Sequence, residues 1–287
     1  MYKWCLGMGM LLLLIACGNK EQQKFIPVAD TIVTVQADTM ELLTDSMQLA
    51  EIMKEKPRVQ VGNELFEDFI FNYAADEELQ LKRTKFPLSY YEPDTVLRIE
   101  KEMWKHDHLF TQEHHYTLLF DTEEDMEMVG DTALNSVQVE WFYLATKMVK
   151  RYYFQRTEGK WILEAINLRK MQSEEENEDF IDFYAIFSVD SLYQEEHIAD
   201  PLQFITIDPE DEFAILETTL DASQWPAYRY LLPTERLSNI SYGQRNRDDA
   251  KTKILKVNGI DNGYHNLFYF RKKGDGWELY RYEDTST

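Results

Sequence analysis

Apolar residues fall at helical spacing in two places, at Phe66, Phe69, Ile70 and Tyr73 and again at Phe180, Phe183, Tyr184 and Phe187. Positions three and four apart share one face of a helix, so each run predicts a helix with one buried stripe. The surrounding strings are alike, EDFIFNYA at 67–74 and EDFIDFYA at 178–185. Pro87-Leu88 and Pro201-Leu202 follow, and a proline is expected to end each helical region. Further on, YYFQRTEGKWIL at 152–163 and FYFRKKGDGWEL at 268–279 alternate aromatic and polar residues about a Gly-containing turn. Alternation of that kind predicts β-hairpins. Between helix and hairpin, Val137, Val139, Trp141 and Tyr143 alternate as a strand does, and Ile254–Val257 forms a second strand-like run before the turn candidates Asn258-Gly259 and Asn262-Gly263. The pattern therefore predicts an α+β fold of two tandem repeats, each a helix packed on a curved antiparallel sheet. The first repeat is placed at 64–172 and the second at 173–287, the latter opening on the acidic run Ser173–Glu178, whose charge suits a helix N-terminus.

Before residue 64 the pattern changes. Lys3 is followed by the apolar stretch Leu6–Ala16, too short to span a bilayer but suited to a cleaved export signal. It closes on Leu14-Ile15-Ala16-Cys17, the form of a bacterial lipobox, so residues 1–17 read as a lipoprotein signal with Cys17 as the acylated residue. Residues 18–63 read as a polar tether, with one short amphipathic helix over 39–56 built on Leu42, Leu49, Ile52 and Met53 and ended by Pro57. If flexible, that tether reaches roughly 35–40 Å. The expected location is the cell envelope, by a lipid anchor in the outer membrane.

Composition narrows the chemistry. The other cysteine, Cys5, lies in the signal, so the processed chain has no thiol for a disulfide, a thiolate metal site or a cysteine nucleophile. Net charge is −22, which disfavours nucleic acid and anionic lipid headgroups. No Gly-rich phosphate loop, Gly-x-Ser-x-Gly or His-Glu-x-x-His occurs. The expected partners are the membrane, through the anchor, and an envelope ligand, glycan or protein. No cofactor is expected.

The lipobox, the two helix strings and the GKW and GDGW hairpins at 159–161 and 274–277 carry a resemblance. The chain resembles a family of Bacteroides-type lipoproteins whose domain has no assigned function, and each repeat resembles the nuclear-transport-factor-2-like, or cystatin-like, fold. That likeness implies a curved sheet wrapped around a helix. It leaves function open between a ligand-binding or scaffold module and, as the alternative, a small-molecule isomerase or lyase with a carboxylate in the sheet's concavity. Asp107, His115 and Tyr116 are the first repeat's candidates for that chemistry, and Asp208, Tyr228 and Tyr242 the second's. With so many acidic residues and tyrosines such sets arise readily, and binding or scaffolding is the preferred reading. The resemblance also implies O-glycosylation at Asp-[Ser/Thr]-[Ala/Ile/Leu/Val/Met/Thr]. That pattern occurs at Thr31, Thr39 and Ser46 in the tether, where an enzyme could reach most easily, and at Thr95, Thr132 and Ser191 beyond it; helix caps and Asx turns are the plain alternative at any one of these sites.

Two further candidates remain. His106 and His108 would share a face if they lay on a strand, the minimum for a metal site, although solvated histidines explain them as well. Trp161 and Trp277 recur at matched positions and belong in the core. Trp225, outside that match, is the candidate ligand contact, an exposed aromatic face for a glycan.

Overall fold

The computed structural model describes residues 64–131, 133–172, 177–243 and 250–287. The expected signal, Cys17, the tether with its helix, and Thr31, Thr39 and Ser46 lie outside the described residues.

Among the described residues the fold is α+β, with two six-stranded sheets and few helices. The first helical stripe forms α1 (Phe66–Ala75), which buries Phe66, Phe69, Ile70, Tyr73 and Ala74. Asp76 then accepts the amide of Leu79 and caps a second short helix, α2 (Glu77–Arg83). The later stripe forms α3 (Glu178–Phe187), followed by α4 (Ser191–Glu196), which Asp190 caps in the same way through Leu192 and Tyr193.

Twelve strands follow chain order: β1 (Thr84–Glu92), β2 (Thr95–Ile99), β3 (His115–Phe120), β4 (Ser136–Tyr143), β5 (Met148–Thr157), β6 (Lys160–Lys170), β7 (Ile198–Asp208), β8 (Asp211–Leu220), β9 (Arg236–Ser241), β10 (Thr252–Gly259), β11 (His265–Lys273) and β12 (Gly276–Asp284). Pro87 and Pro201 lie inside β1 and β7, so the helical regions end before the prolines rather than at them. Proline has no N–H to donate, and the β1–β6 register shifts across it, between Thr84 and Ser89. The expected hairpins are β5–β6 and β11–β12, and their turns use Gly159 and Gly274 at positive φ (77° and 61°), where a side chain would be strained.

The sheets run β2-β1-β6-β5-β4-β9 and β8-β7-β12-β11-β10-β3. They are not wholly antiparallel as expected: β1 pairs parallel to β6, and β7 to β12. In each sheet five strands come from one half of the chain and the sixth from the other. β9 completes the sheet of β4, and β3 completes that of β10. The boundary expected at 172/173 is thus crossed by pairing in both directions.

A buried polar seam joins the two exchanged strands. The amide of Thr117 donates to Ser238 Oγ at 2.7 Å, and that of Leu119 to Asn239 Oδ1 at 2.9 Å. Asn239 Nδ2 in turn donates to Glu140 Oε2 at 2.9 Å, and Arg151 Nε donates to Glu140 Oε1 at 2.7 Å. The two cores lie on either side. One holds α1 against Phe154, Trp161, Leu163 and Tyr152, and the other holds α3 against Phe270, Trp277, Leu279 and Tyr282.

Candidate functional site

The first sheet's helix-bearing face carries the most developed polar group. Lys150 and Tyr152 are two apart on β5 and point the same way, toward Tyr90 of β1. The loop after β2 brings Asp107 onto them. Tyr152 Oη donates to Asp107 Oδ2 at 2.6 Å, Lys150 Nζ stands 3.6 Å from the same oxygen, and Asp107 Oδ1 accepts the amide of Leu109 at 3.0 Å. The loop is pinned from its other side by Gln80 of α2. Its Oε1 accepts from Trp104 Nε1 and from the Asp107 amide, both at 3.0 Å, and its Nε2 donates to the Asp107 carbonyl at 2.6 Å. Burial, then the Asp107 charge, pushes the Tyr152 hydroxyl well above its ordinary pKa. Tyr90 is pushed up to about 12, first by burial and then by Glu92, Tyr143 and Asp107.

The hydroxyl that meets Asp107 is therefore Tyr152, which the sequence pattern placed only in a hairpin strand. The expected set does not assemble. His115 and Tyr116 lie on β3 in the other sheet, where Asn258 Nδ2 donates to Tyr116 Oη at 2.9 Å and Tyr116 Oη approaches Glu67 at 3.4 Å. His115 lines an open cleft of about 400 Å³ with His114, Asn262, Tyr264, Ser286 and Thr287, and burial lowers its pKa. A second groove, about 360 Å³, runs along α1 past Glu64, Asp68 and Asn72.

Chemically, Asp107 has both oxygens engaged and one cation beside it. The arrangement clasps the 104–111 loop to the sheet. On the second sheet, β11, β12 and β7 hold the places of β5, β6 and β1, and the matching ground is aromatic. Tyr282 stacks between Phe204 (5.4 Å) and Phe268 (4.9 Å), Tyr228 closes on Phe204 at 5.3 Å, and Tyr282 Oη donates to Asn266 Oδ1 at 2.5 Å. The candidates Asp208, Tyr228 and Tyr242 are dispersed. Asp208 ends β7 at a hairpin, Tyr228 packs on the second core, and Tyr242 is edge-on to Phe66 in the first.

Trp225 is not an exposed platform. It is 2% exposed, within a short 3₁₀ turn (Ala222–Ala227), and packs on Phe187, Phe268 and Tyr282. Its Nε1 donates to Gln194 Oε1 at 3.0 Å, the same partnership that Trp104 makes with Gln80. A buried indole needs that acceptor, and Gln194 of α4 supplies it. His106 and His108 lie in the loop, not on a strand. Their rings pack at 4.1 Å, and His106 Nε2 is 2.9 Å from the carbonyl of Ala74. Among the described residues no group of three or more His, Cys, Asp or Glu side chains is placed to hold a metal ion. At Asp131 and Asp190 the carboxylates accept nearby amides, forming a turn and a helix cap within the glycosylation pattern.

This two-sheet α+β architecture is of the NTF2-like class. A crystal structure of an NTF2-like protein from Bacteroides fragilis NCTC 9343 is similar to the chain at 53% identity and a TM-score of 0.72, over 80% of this chain and 100% of that one. A family described as a domain of unknown function, DUF4348, matches residues 44–284, and the chain belongs to it. No curated protein matches.

Proposed function

We propose that the protein is a lipid-anchored envelope module that binds or organises other molecules through its outer surfaces. The observation that carries this reading is the occupation of both concave faces. α1 fills one with Phe66, Phe69 and Tyr73 packed on Phe154 and Trp161, and α3 fills the other with Phe180, Phe183 and Phe187 packed on Phe270 and Trp277. The similar sheet orders and the recurring Gln–Trp pair support an origin in two copies of one unit. The lipobox supports acylation at Cys17, and the tether motifs support glycans at Thr31, Thr39 and Ser46. The rival reading, an isomerase or lyase, draws on Asp107 and Tyr152. Proton abstraction needs a carboxylate oxygen open to substrate, whereas Asp107 is held by Tyr152, Lys150 and Leu109.

Proximity labelling in intact cells, from a tag at the C-terminus, tests the proposal. A reproducible set of envelope neighbours that disappears with Cys17→Ala is expected. Labelling no different from that of an unrelated tethered domain overturns it.

A further inference from the structure

The strand β8 is built unlike the other sheet margins. β2, at the far edge of the first sheet, has five residues and buries Val96 and Leu97. β3 and β9, the remaining margins, cover each other through the polar seam. By contrast β8 runs ten residues, DEFAILETTL, pairs only with β7, and leaves its outer backbone groups without a partner strand among the described residues. Phe213 is 91% exposed, Ile215 57% and Leu216 38%. Natural edges of this length are usually blunted by Lys, Pro or a bulge that turns them away. β8 contains neither Lys nor Pro, and its register against β7 is regular from Leu202↔Leu220 to Ile207↔Ile215, shifting only at the turn end, between Ile207 and Asp208, so that Ile215–Leu220 is the regular stretch and Phe213 stands beside it. It is an open template for another strand, with apolar side chains ready to pack on it.

The charges say what that strand carries. Asp208, Glu210 and Asp211 crowd the β7–β8 turn and Glu217 stands on the strand, with no cationic partner for any of them among the described residues. Pairing β8 antiparallel with a second β8, Ile215 on Ile215, would set Phe213 against Glu217 and leave Asp211 diagonal to Glu217, with no cation for either, between two chains of charge −22. Like charges across a strand pair are unfavourable, and opposite charges are not. We propose that the outer edge of β8 docks an extended peptide segment of a partner protein, whose every second residue lies over the outward face of β8, apolar side chains on Ile215 and Phe213 and basic ones beside Glu217 and the acidic turn. This rests on the interaction-module reading and specifies its surface.

The full chain in neutral detergent can be titrated with a labelled peptide, Lys-Thr-Val-Thr-Val-Thr-Lys, whose Lys and Val side chains share one face, followed by fluorescence anisotropy. Binding is expected, weakening as salt rises. The double substitution Phe213→Thr and Ile215→Thr keeps every charge and the strand propensity, and should weaken binding about tenfold or more. Glu217→Gln should weaken it less. Equal affinity in the double variant overturns the proposal, as does equally tight binding of a Glu/Val peptide. Two further outcomes reassign the edge and overturn it: β8-dependent dimerisation without peptide, which gives it to a second copy, and peptide binding seen only after deletion of residues 18–63, which gives it to the chain's own N-terminal segment. Failure here leaves the proximity-labelling result standing, so the two readings fall separately.

Discussion

Glu140 shows how much a single side chain can hold in this fold. It is 5% exposed, takes Arg151 on one oxygen and Asn239 on the other, and thereby links β4, β5 and the exchanged strand β9. Removing one partner of a buried pair leaves the other charge stranded, so Glu140→Ala should lose about 3–5 kcal/mol in chemical denaturation. Trp225→Ala should cost a similar amount, about 3–5 kcal/mol, from the cavity it opens. Trp225→Phe should cost less, about 1–3 kcal/mol, chiefly from Gln194 losing its donor. An exposed glycan platform would show almost no effect of either change. Trp225 was not legible as core because it lies 31 residues beyond Gln194, whereas Trp104 lies 24 beyond Gln80. The unequal loops hide the correspondence that the shared hydrogen bond reveals. Asp107 was visible as a candidate but not its partner, since nothing in the β5 sequence says which loop will lie across Tyr152. Histidine burial adds a pH dependence. Burial lowers the pKa of His115 and His265 below the unfolded value of 6.5, so the unfolded chain binds protons first as pH falls. Stability should be flat above about pH 7 and decline below 6.5, and His115→Asn with His265→Asn should shrink that decline in thermal melts at successive pH values.

At the scale of elements, periodicity read well wherever a segment buries one face. The stripes of α1 and α3 follow from side chains meeting a single core, and in β4 the alternating Val137, Val139 and Trp141 face one core while Phe142 faces the other. Short segments that depend on distant partners did not read. β3 and β9 have six residues each, and their pairing is settled by strands about ninety to a hundred and forty positions away and by the seam of Thr117, Ser238 and Asn239. β7 and β8 were obscured for another reason, since Pro201 and the exposed apolar residues of β8 obey no inside–outside rule. The exchange makes a direct prediction. Residues 64–172 and 173–287 produced separately should each lack cooperative unfolding, because each leaves one sheet short of a strand and carries one strand with nothing to pair with. Mixed or co-expressed, the two pieces should associate and recover a single transition in circular dichroism.

For the whole molecule, charge and tether set behaviour in ways the fold does not. A chain of net charge −22 should show no binding to anionic vesicles in a flotation assay, at low or high salt, beyond what its acyl chains provide. Among the described residues no helix is long and apolar enough to cross a membrane, so the proposed acylation is the attachment to test. Cys17→Ala should abolish metabolic incorporation of a palmitate analogue and release the protein from the membrane fraction. Intact mass before and after Thr31→Ala, Thr39→Ala and Ser46→Ala should fall by whole glycan units at each occupied site, and an unchanged mass beyond the substitutions would end that idea.

The exchanged strands also impose an order in time. A chain appears from its N-terminus, and β4 is present long before its neighbour β9, about ninety residues later in the sequence. During that interval the β4 margin, with Trp141 and Phe142 on it, is an unfinished edge that any passing strand can join. β3 waits longer still, until β10 arrives at residue 252. Neither sheet can close early, so the two halves mature together, and the period of greatest danger for this protein is the moment when half of it exists.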